Sequence, residues 1–339
     1  MRATTLKNNL QLAIAVKRPA FVWGDPGIGK TEILRQVAKA MAFDGVLEWR
    51  LGLKDPVDLM GTPSIAKHHE DQKLATFWNP PAELPRSGRW VIFMDEFPQA
   101  KLDVQNAATS LILDRCLGSY TLPSECVIVA AGNHDANRAG TNKMPTQVAS
   151  RFIHMTLNVH TGDWLEWAHE VGGIDPRVIA FIKYRPEYLQ KFDPKSQEKA
   201  YACPRTWTYT SDVIKQADAM GMRYEAEEQL ELIAGIVGRE AAVDFIGFLR
   251  IMEKLVSIDS ILLAPEKAAL PEDSAVTYAL TYALADRSDK KLLPTIAKYI
   301  ERLQEEWQFL FFQEIKRKQE ALMKTQTFIK WAAAHHDFA

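Results

Sequence analysis

The chain has 339 residues, 47% of them apolar and 25% charged, and its 41 basic and 43 acidic side chains leave a net charge of −2. That length exceeds one ordinary core and predicts one main domain with appendages. The composition excludes disordered and fibrous classes, and the charge balance excludes a global positive field that would recruit nucleic acid or an anionic membrane.

Residues 20–23, AFVW, are a short apolar run before Gly24, and TEILRQVAKAMAF from residue 31 places Ile33, Leu34, Val37, Ala38 and Met41 at helical spacing. Strand, loop and helix follow in that order. Further strands are predicted at 46–51 (VLEWRL), 90–94 (WVIFM), 126–131 (CVIVAA) and 152–157 (FIHMTL), with helical patterns between most of them. Continuous apolar strands alternating with helices imply a mainly parallel sheet covered on both faces. From about residue 161 the patterns become all-helical. Pro265, Pro271 and the PEDS stretch punctuate a linker predicted at 259–274, and one long helical stretch is predicted from about 288 to the low 330s. There Leu303, Trp307, Leu310, Phe311 and Ile315 share one face, which reads as packing within the protein or between subunits, ahead of a partner groove or a membrane surface.

Cys116, Cys126 and Cys203 are far apart, odd in number and without metal-ligand spacing, which points to reduced thiols. The first residues are too weakly apolar for a secretion signal or a membrane span, so the expected location is the cytoplasm.

Residues 24–31, Gly24-Asp25-Pro26-Gly27-Ile28-Gly29-Lys30-Thr31, match the phosphate-loop pattern G-x-x-x-x-G-K-[ST] between a strand and a helix. Glycines there let backbone N–H groups turn towards a phosphate, and the helix start adds its positive dipole end. Lys30 is the candidate for the β- and γ-phosphates, and Thr31 for Mg²⁺. WVIFMDEF then ends an apolar strand in Asp95 and Glu96. A buried strand delivering a carboxylate to its carboxyl end suits a metal held beside a phosphate loop, which makes Asp95 the second metal-side candidate. Because successive strand residues point oppositely, Glu96 is expected to be free to activate a water. CVIVAAGNHD ends another apolar strand at Asn133, a candidate for positioning that water. The segment NKMP at 142–145 lacks the Asp that would accept the donors of guanine, so adenine is favoured. Adjacent His68 and His69 suit a loop better than a metal site, and His335 and His336 are read likewise.

The order of these motifs resembles that of AAA+ ATPases, and in detail the MoxR-like branch, over about residues 10–215. DPVDLMGTP at 55–63 is similar to that branch's D-x-x-D-x-x-G segment, ASRF at 149–152 resembles its arginine-finger position, and CPRTW at 203–207 resembles the Pro-Arg of its second sensor. The resemblance implies an α/β P-loop NTPase fold, an αβα sandwich around a parallel sheet, with an all-α lid and a helical carboxyl-terminal extension. The corresponding divisions are 1–160, 161–257 and 258–339. It implies ATP and Mg²⁺, Arg151 reaching into a neighbour's γ-phosphate with Arg138 as a rival finger, and Arg205 contacting its own subunit's phosphates. A finger working in trans implies a homo-oligomeric ring, of six subunits by the resemblance. The family further implies remodelling, activation or metal loading of a client protein through a partner with a von Willebrand A domain, with neither nucleic acid nor membrane expected as partners. It also places insertions near Phe77 and Trp78 and near Leu117, Gly118 and Tyr120, whose aromatics either touch a client or serve as buried anchors. A nucleic-acid motor or loader and a nucleotide-gated scaffold with little turnover are the rival readings.

Overall fold

The computed structural model describes residues 1–67, 74–133, 144–196, 198–222, 226–253, 258–318 and 320–335. Arg138, His68, His69, His336 and the Asn142–Lys143 pair lie outside them. Two compact units are present: Met1–Gly172 with Leu189–Thr208, and Gly173–Tyr188 with Tyr209–Ala339.

In the first unit the elements run α1 (Ala3–Ala15), β1 (Ala20–Trp23), α2 (Lys30–Ala40), β2 (Gly45–Arg50), α3 (Pro56–Met60), β3 (Thr62–Lys67), β4 (Leu74–Asn79) and β5 (Trp90–Asp95). They continue with α4 (Leu102–Asp114), β6 (Cys116–Leu117), β7 (Tyr120–Thr121), β8 (Val127–Gly132), α5 (Thr146–Ala149), β9 (Ile153–Thr156) and α6 (Thr161–Glu170). The five strands expected from the apolar runs form one parallel sheet in the order β2-β5-β8-β1-β9. The uninterrupted apolar character of β1, β5 and β8 follows from burial on both sides. Val91 and Phe93 of β5 join a core with Leu6 and Leu10 of α1 and Leu34 and Val37 of α2. The alternate residues Ile92 and Met94 join the opposite core with Val104, Ala108 and Leu111 of α4. This is an α/β sandwich.

Two antiparallel hairpins were not among the sequence expectations. β3 and β4 pair from Thr62↔Asn79 to Lys67↔Leu74, and β6 pairs β7. Gly61, just before β3, has φ +82°, and a Cβ there would lie 1.9 Å from the carbonyl oxygen of Asn79. Gly61→Ala is expected to cost about 3 kcal/mol or more, from a disfavoured backbone plus overpacking, measured as the shift in denaturant midpoint; a change within experimental error would show that the hairpin base yields freely.

Of the two readings open near Leu117 and Tyr120, the buried anchor is the one present. Both side chains are buried in the core, and the Tyr120 hydroxyl donates to the Pro85 carbonyl at 2.7 Å, with burial pushing its pKa up to about 12. A Cβ on Gly118 would rest against Trp78, and the Ser119 hydroxyl donates to the Trp78 carbonyl at 3.0 Å. Phe77 and Trp78 lie in strand β4 rather than in a loop.

The second unit contains α7 (Pro176–Tyr184), most of α8 (Pro204–Ala219), α9 (Ala226–Val237), α10 (Arg239–Glu253), α11 (Ile258–Leu263) and α12 (Ser274–Arg287). It continues with α13 (Leu293–Ile300), α14 (Glu305–Lys318), α15 (Glu320–Met323) and α16 (Gln326–Ala334). It is all-α among its described residues. The helical stretch predicted from 288 is divided into four helices, since Pro294 opens α13 and the Thr325 hydroxyl accepts from the Phe328 N–H to start α16. Leu303, Phe311 and Ile315 are buried in one core with Phe312 and Trp331, and Trp307 packs against it. His335 stacks on the Trp331 ring at 4.4 Å. Among the described residues no helix is long and apolar enough to cross a membrane.

Candidate functional site

The parallel register sets the carboxyl ends of β1, β8 and β5 side by side, with Trp23 opposite Gly132 and Met94 opposite Ala130. A site at this edge draws its groups from consecutive positions after each strand. β1 runs into the loop 24–29, and α2 begins at Lys30. Gly29 is the helix N-cap in the left-handed region, φ 96° and ψ 19°, and no side chain caps the helix. Nothing lies within 4 Å of where its Cβ would be, so backbone conformation alone calls for glycine there. The uncapped first turn leaves N–H donors without intrahelical partners, the arrangement that favours an anion. Gly24 and Gly27 answer to close approach: Cβ atoms there would meet Ile28 Cδ1 at 2.6 Å and Cys203 Sγ at 2.5 Å. Asp25, Pro26 and Thr31 are half-buried, and Ile28 is buried.

The Lys30 ammonium donates to the carbonyls of Gly24 at 2.7 Å and Asp25 at 2.9 Å, and to Asn133 Oδ1 at 3.0 Å. Burial pushes its pKa down to about 8, against the opposing pull of Asp95, Asp25 and Glu96 and with the repulsion of Arg205. These are the charges that act on Lys30 most strongly, so the fold gathers both carboxylates at the end of β5, Asn133 after β8 and Arg205 around the loop.

Asp95 is the last residue of β5, half-buried, and its Oδ1 accepts the Glu96 N–H at 2.9 Å. Glu96 is past the strand, with φ 57° and ψ 33°. Its side-chain direction therefore comes from a left-handed turn and not from strand alternation, which corrects the sequence argument for it. The exposed carboxylate reaches towards residues 51–53, with Oε2 3.2 Å from where a Gly52 Cβ would be.

Arg205 enters with the segment 189–208 of the first unit. Thr206 fixes the start of α8: its hydroxyl oxygen accepts the Cys203 N–H at 2.8 Å, and Trp207 is fully buried beside it. The Arg205 N–H donates to the Gly27 carbonyl at 3.1 Å, binding α8 to the phosphate loop, while its guanidinium stays exposed. The motif at 203–207 pointed to Arg205 in sequence; no signal there pointed to Cys203 as the residue that fills the space over Gly27.

Arg151 follows α5, exposed, with its N–H donating to the Val148 carbonyl at 3.0 Å. It is not among the charges that dominate at Lys30. Among the described residues its guanidinium makes no hydrogen bond or ion pair.

The residues suit nucleotide and Mg²⁺. The loop has an open left-handed turn and a desolvated ammonium. Mg²⁺ usually takes one or two protein oxygens together with phosphate and water, which Thr31 and Asp95 can provide.

No known family profile matches the chain. Among solved structures it is similar to a candidate ATPase from Cytophaga hutchinsonii, at 14% identity and a TM-score of 0.38 over 91% of this chain and 80% of that one. It is also similar to a mutant of RuvB from Thermotoga maritima, at 16% identity and a TM-score of 0.42 over 78% and 77% of the two chains. A third similar structure is NtrX from Brucella abortus in complex with ADP, at 13% identity and a TM-score of 0.40 over 93% of this chain and 68% of that one.

Proposed function

We propose that this chain is a Mg²⁺-dependent ATPase of the AAA+ class, resembling the MoxR-like branch, that works as a head-to-tail ring of six subunits. The observation that carries the reading is the buried Lys30 ammonium inside an uncapped glycine loop, ringed by Asp95, Glu96, Asn133 and Arg205. Lys30 and the first-turn N–H groups of α2 bind the phosphates, and Arg205 adds charge from the loop's other side. Thr31 and Asp95 are the residues that would hold Mg²⁺, which neutralises phosphate charge when bound. Glu96 accepts the proton of the attacking water and Asn133 orients it, so that positioning and charge stabilisation supply most of the rate. Arg151 completes the next subunit's site, a contribution worth ~10³–10⁵ in rate where such fingers operate. Residues 161–257 serve as the lid, 258–339 as an extension, and the cycle remodels, activates or metal-loads a client with a von Willebrand A domain partner.

Mg-ATP turnover per protomer, measured across a wide range of protein concentration, tests the reading. Specific activity is expected to climb with concentration and then level off as rings fill. Turnover that is absent, or independent of concentration down to the monomeric range, would remove the shared site.

A further inference from the structure

We infer that His154 is a positioning residue for Arg151, tying the turn that carries the finger to the strand that carries the phosphate loop; the inference rests on the trans-finger reading above. His154 lies on β9, the edge strand beside β1, with Phe21 opposite it. Its Nδ1 is 3.0 Å from Trp23 Nε1, and its Nε2 is 2.8 Å from the Ala149 carbonyl oxygen. An indole N–H only donates and a carbonyl only accepts. Nδ1 therefore accepts from Trp23 and Nε2 donates to Ala149, so the ring bridges the two groups in one direction.

Both ends of the bridge matter to the site. Trp23 is the last residue of β1, immediately before Gly24 of the loop, and its ring lies nearly parallel to that of His154, 21° apart with centroids at 6.1 Å, as an edge-to-edge N–H···N hydrogen bond requires. Ala149 is the last residue of α5, a four-residue turn. A helix that short does not hold itself, and its final carbonyls lack intrahelical partners. The Ala149 carbonyl takes the Phe152 N–H at 3.2 Å and His154 Nε2. Phe152 is itself buried, edge-on to Phe21 at 5.4 Å and to Phe97 at 6.2 Å. Arg151 thus stands between a buried anchor on one side and a carbonyl clamped by His154 on the other. The aim of the finger is referred, through Trp23, to the phosphate-loop strand of its own subunit.

His154 is exposed, so this bridge adds little to folding. Its effect is on placement, where displacement by about 1 Å can cost on the order of 10²-fold in rate. His154→Ala is expected to lower kcat by about 10- to 100-fold while leaving the melting temperature and nucleotide affinity near those of the parent. His154→Gln, whose amide can accept from Trp23 and donate to Ala149, should recover most of that loss. The decisive measurement mixes His154→Ala protomers with Glu96→Gln protomers, which lack the base but carry an intact finger, beside a parallel mixture of Arg151→Ala with Glu96→Gln. Both mixtures should exceed the activity of their components. Recovery with Arg151→Ala but not with His154→Ala would overturn the role of His154 and leave the trans finger standing. Recovery in neither would bring down the trans finger and this inference with it. Equal losses of rate and melting temperature in the Ala and Gln variants would show His154 to be structural only.

Discussion

Lys30→Met should lower Mg-ATP turnover by on the order of 10²–10³-fold and flatten the alkaline rise in stability of the nucleotide-free protein. Burial holds the folded-state pKa of Lys30 at about 8, against an ordinary 10.5. Below pH 8 the ammonium is present in folded and unfolded chains alike, and the folded state bears the full cost of the desolvated charge. Between pH 8 and 10.5 the unfolded chain binds more protons than the folded one, so stability rises with pH. Above 10.5 the term is absent. The span corresponds to roughly 3 kcal/mol. Denaturant unfolding of the parent and Lys30→Met from pH 7 to 10.5 isolates it, because tyrosines and cysteines titrate in both proteins and cancel in the difference. Curves that stay parallel would show that Lys30 is not desolvated. Phosphate reverses the sign: anionic oxygens beside Lys30 favour the ammonium, so nucleotide binding near pH 8.5–9 should take up protons. Calorimetry in two buffers of different ionisation enthalpy reads that uptake directly.

The sheet was legible because β5, β8 and β1 are covered on both sides, which turns each into an uninterrupted apolar run, and because the polar residues of the site follow those runs directly. Asp95, Asn133 and the 24–31 loop could be placed at one sheet edge without coordinates. The β3–β4 hairpin was not legible. Its residues are mostly exposed on both faces, so TPSIAK and LATFWN carry no burial pattern to detect. Leu117 and Tyr120 stayed open between two readings for the opposite reason, since a two-residue strand pair can bury an aromatic whose neighbours read as a loop. The direction of Glu96 depended on one backbone choice at the end of β5 that alternation could not foresee. The seating of Cys203 and Arg205 on Gly27 joins residues more than 170 positions apart, and such contacts leave no local trace.

Glu96→Gln should reduce turnover by ~10²–10⁴-fold, the range for a positioned general base, while nucleotide binding persists, because no backbone group of the phosphate loop is touched. Glu96→Gly should lose as much turnover and yet gain stability. A non-glycine residue at φ 57° costs roughly 1–2 kcal/mol in the left-handed region; glycine removes that cost, gives up a carboxylate that is exposed, and adds about 0.5–1 kcal/mol of unfolded-chain entropy, which leaves a small net gain. Two variants that are equally inactive, of which only the Gly variant melts higher than the parent, would mean that the strained backbone is kept for the carboxylate it aims. A Gly variant that is less stable than the parent would place a structural contact at Glu96, beside Gly52, where the present reading has a base. A Gly or Gln variant that still turns over would move the base elsewhere, and the next groups to examine would be those that share the Lys30 field, Asp25 and Asp95. The comparison works because strain and chemistry reside in one residue: the turn that orients the carboxylate is the turn that a glycine relaxes.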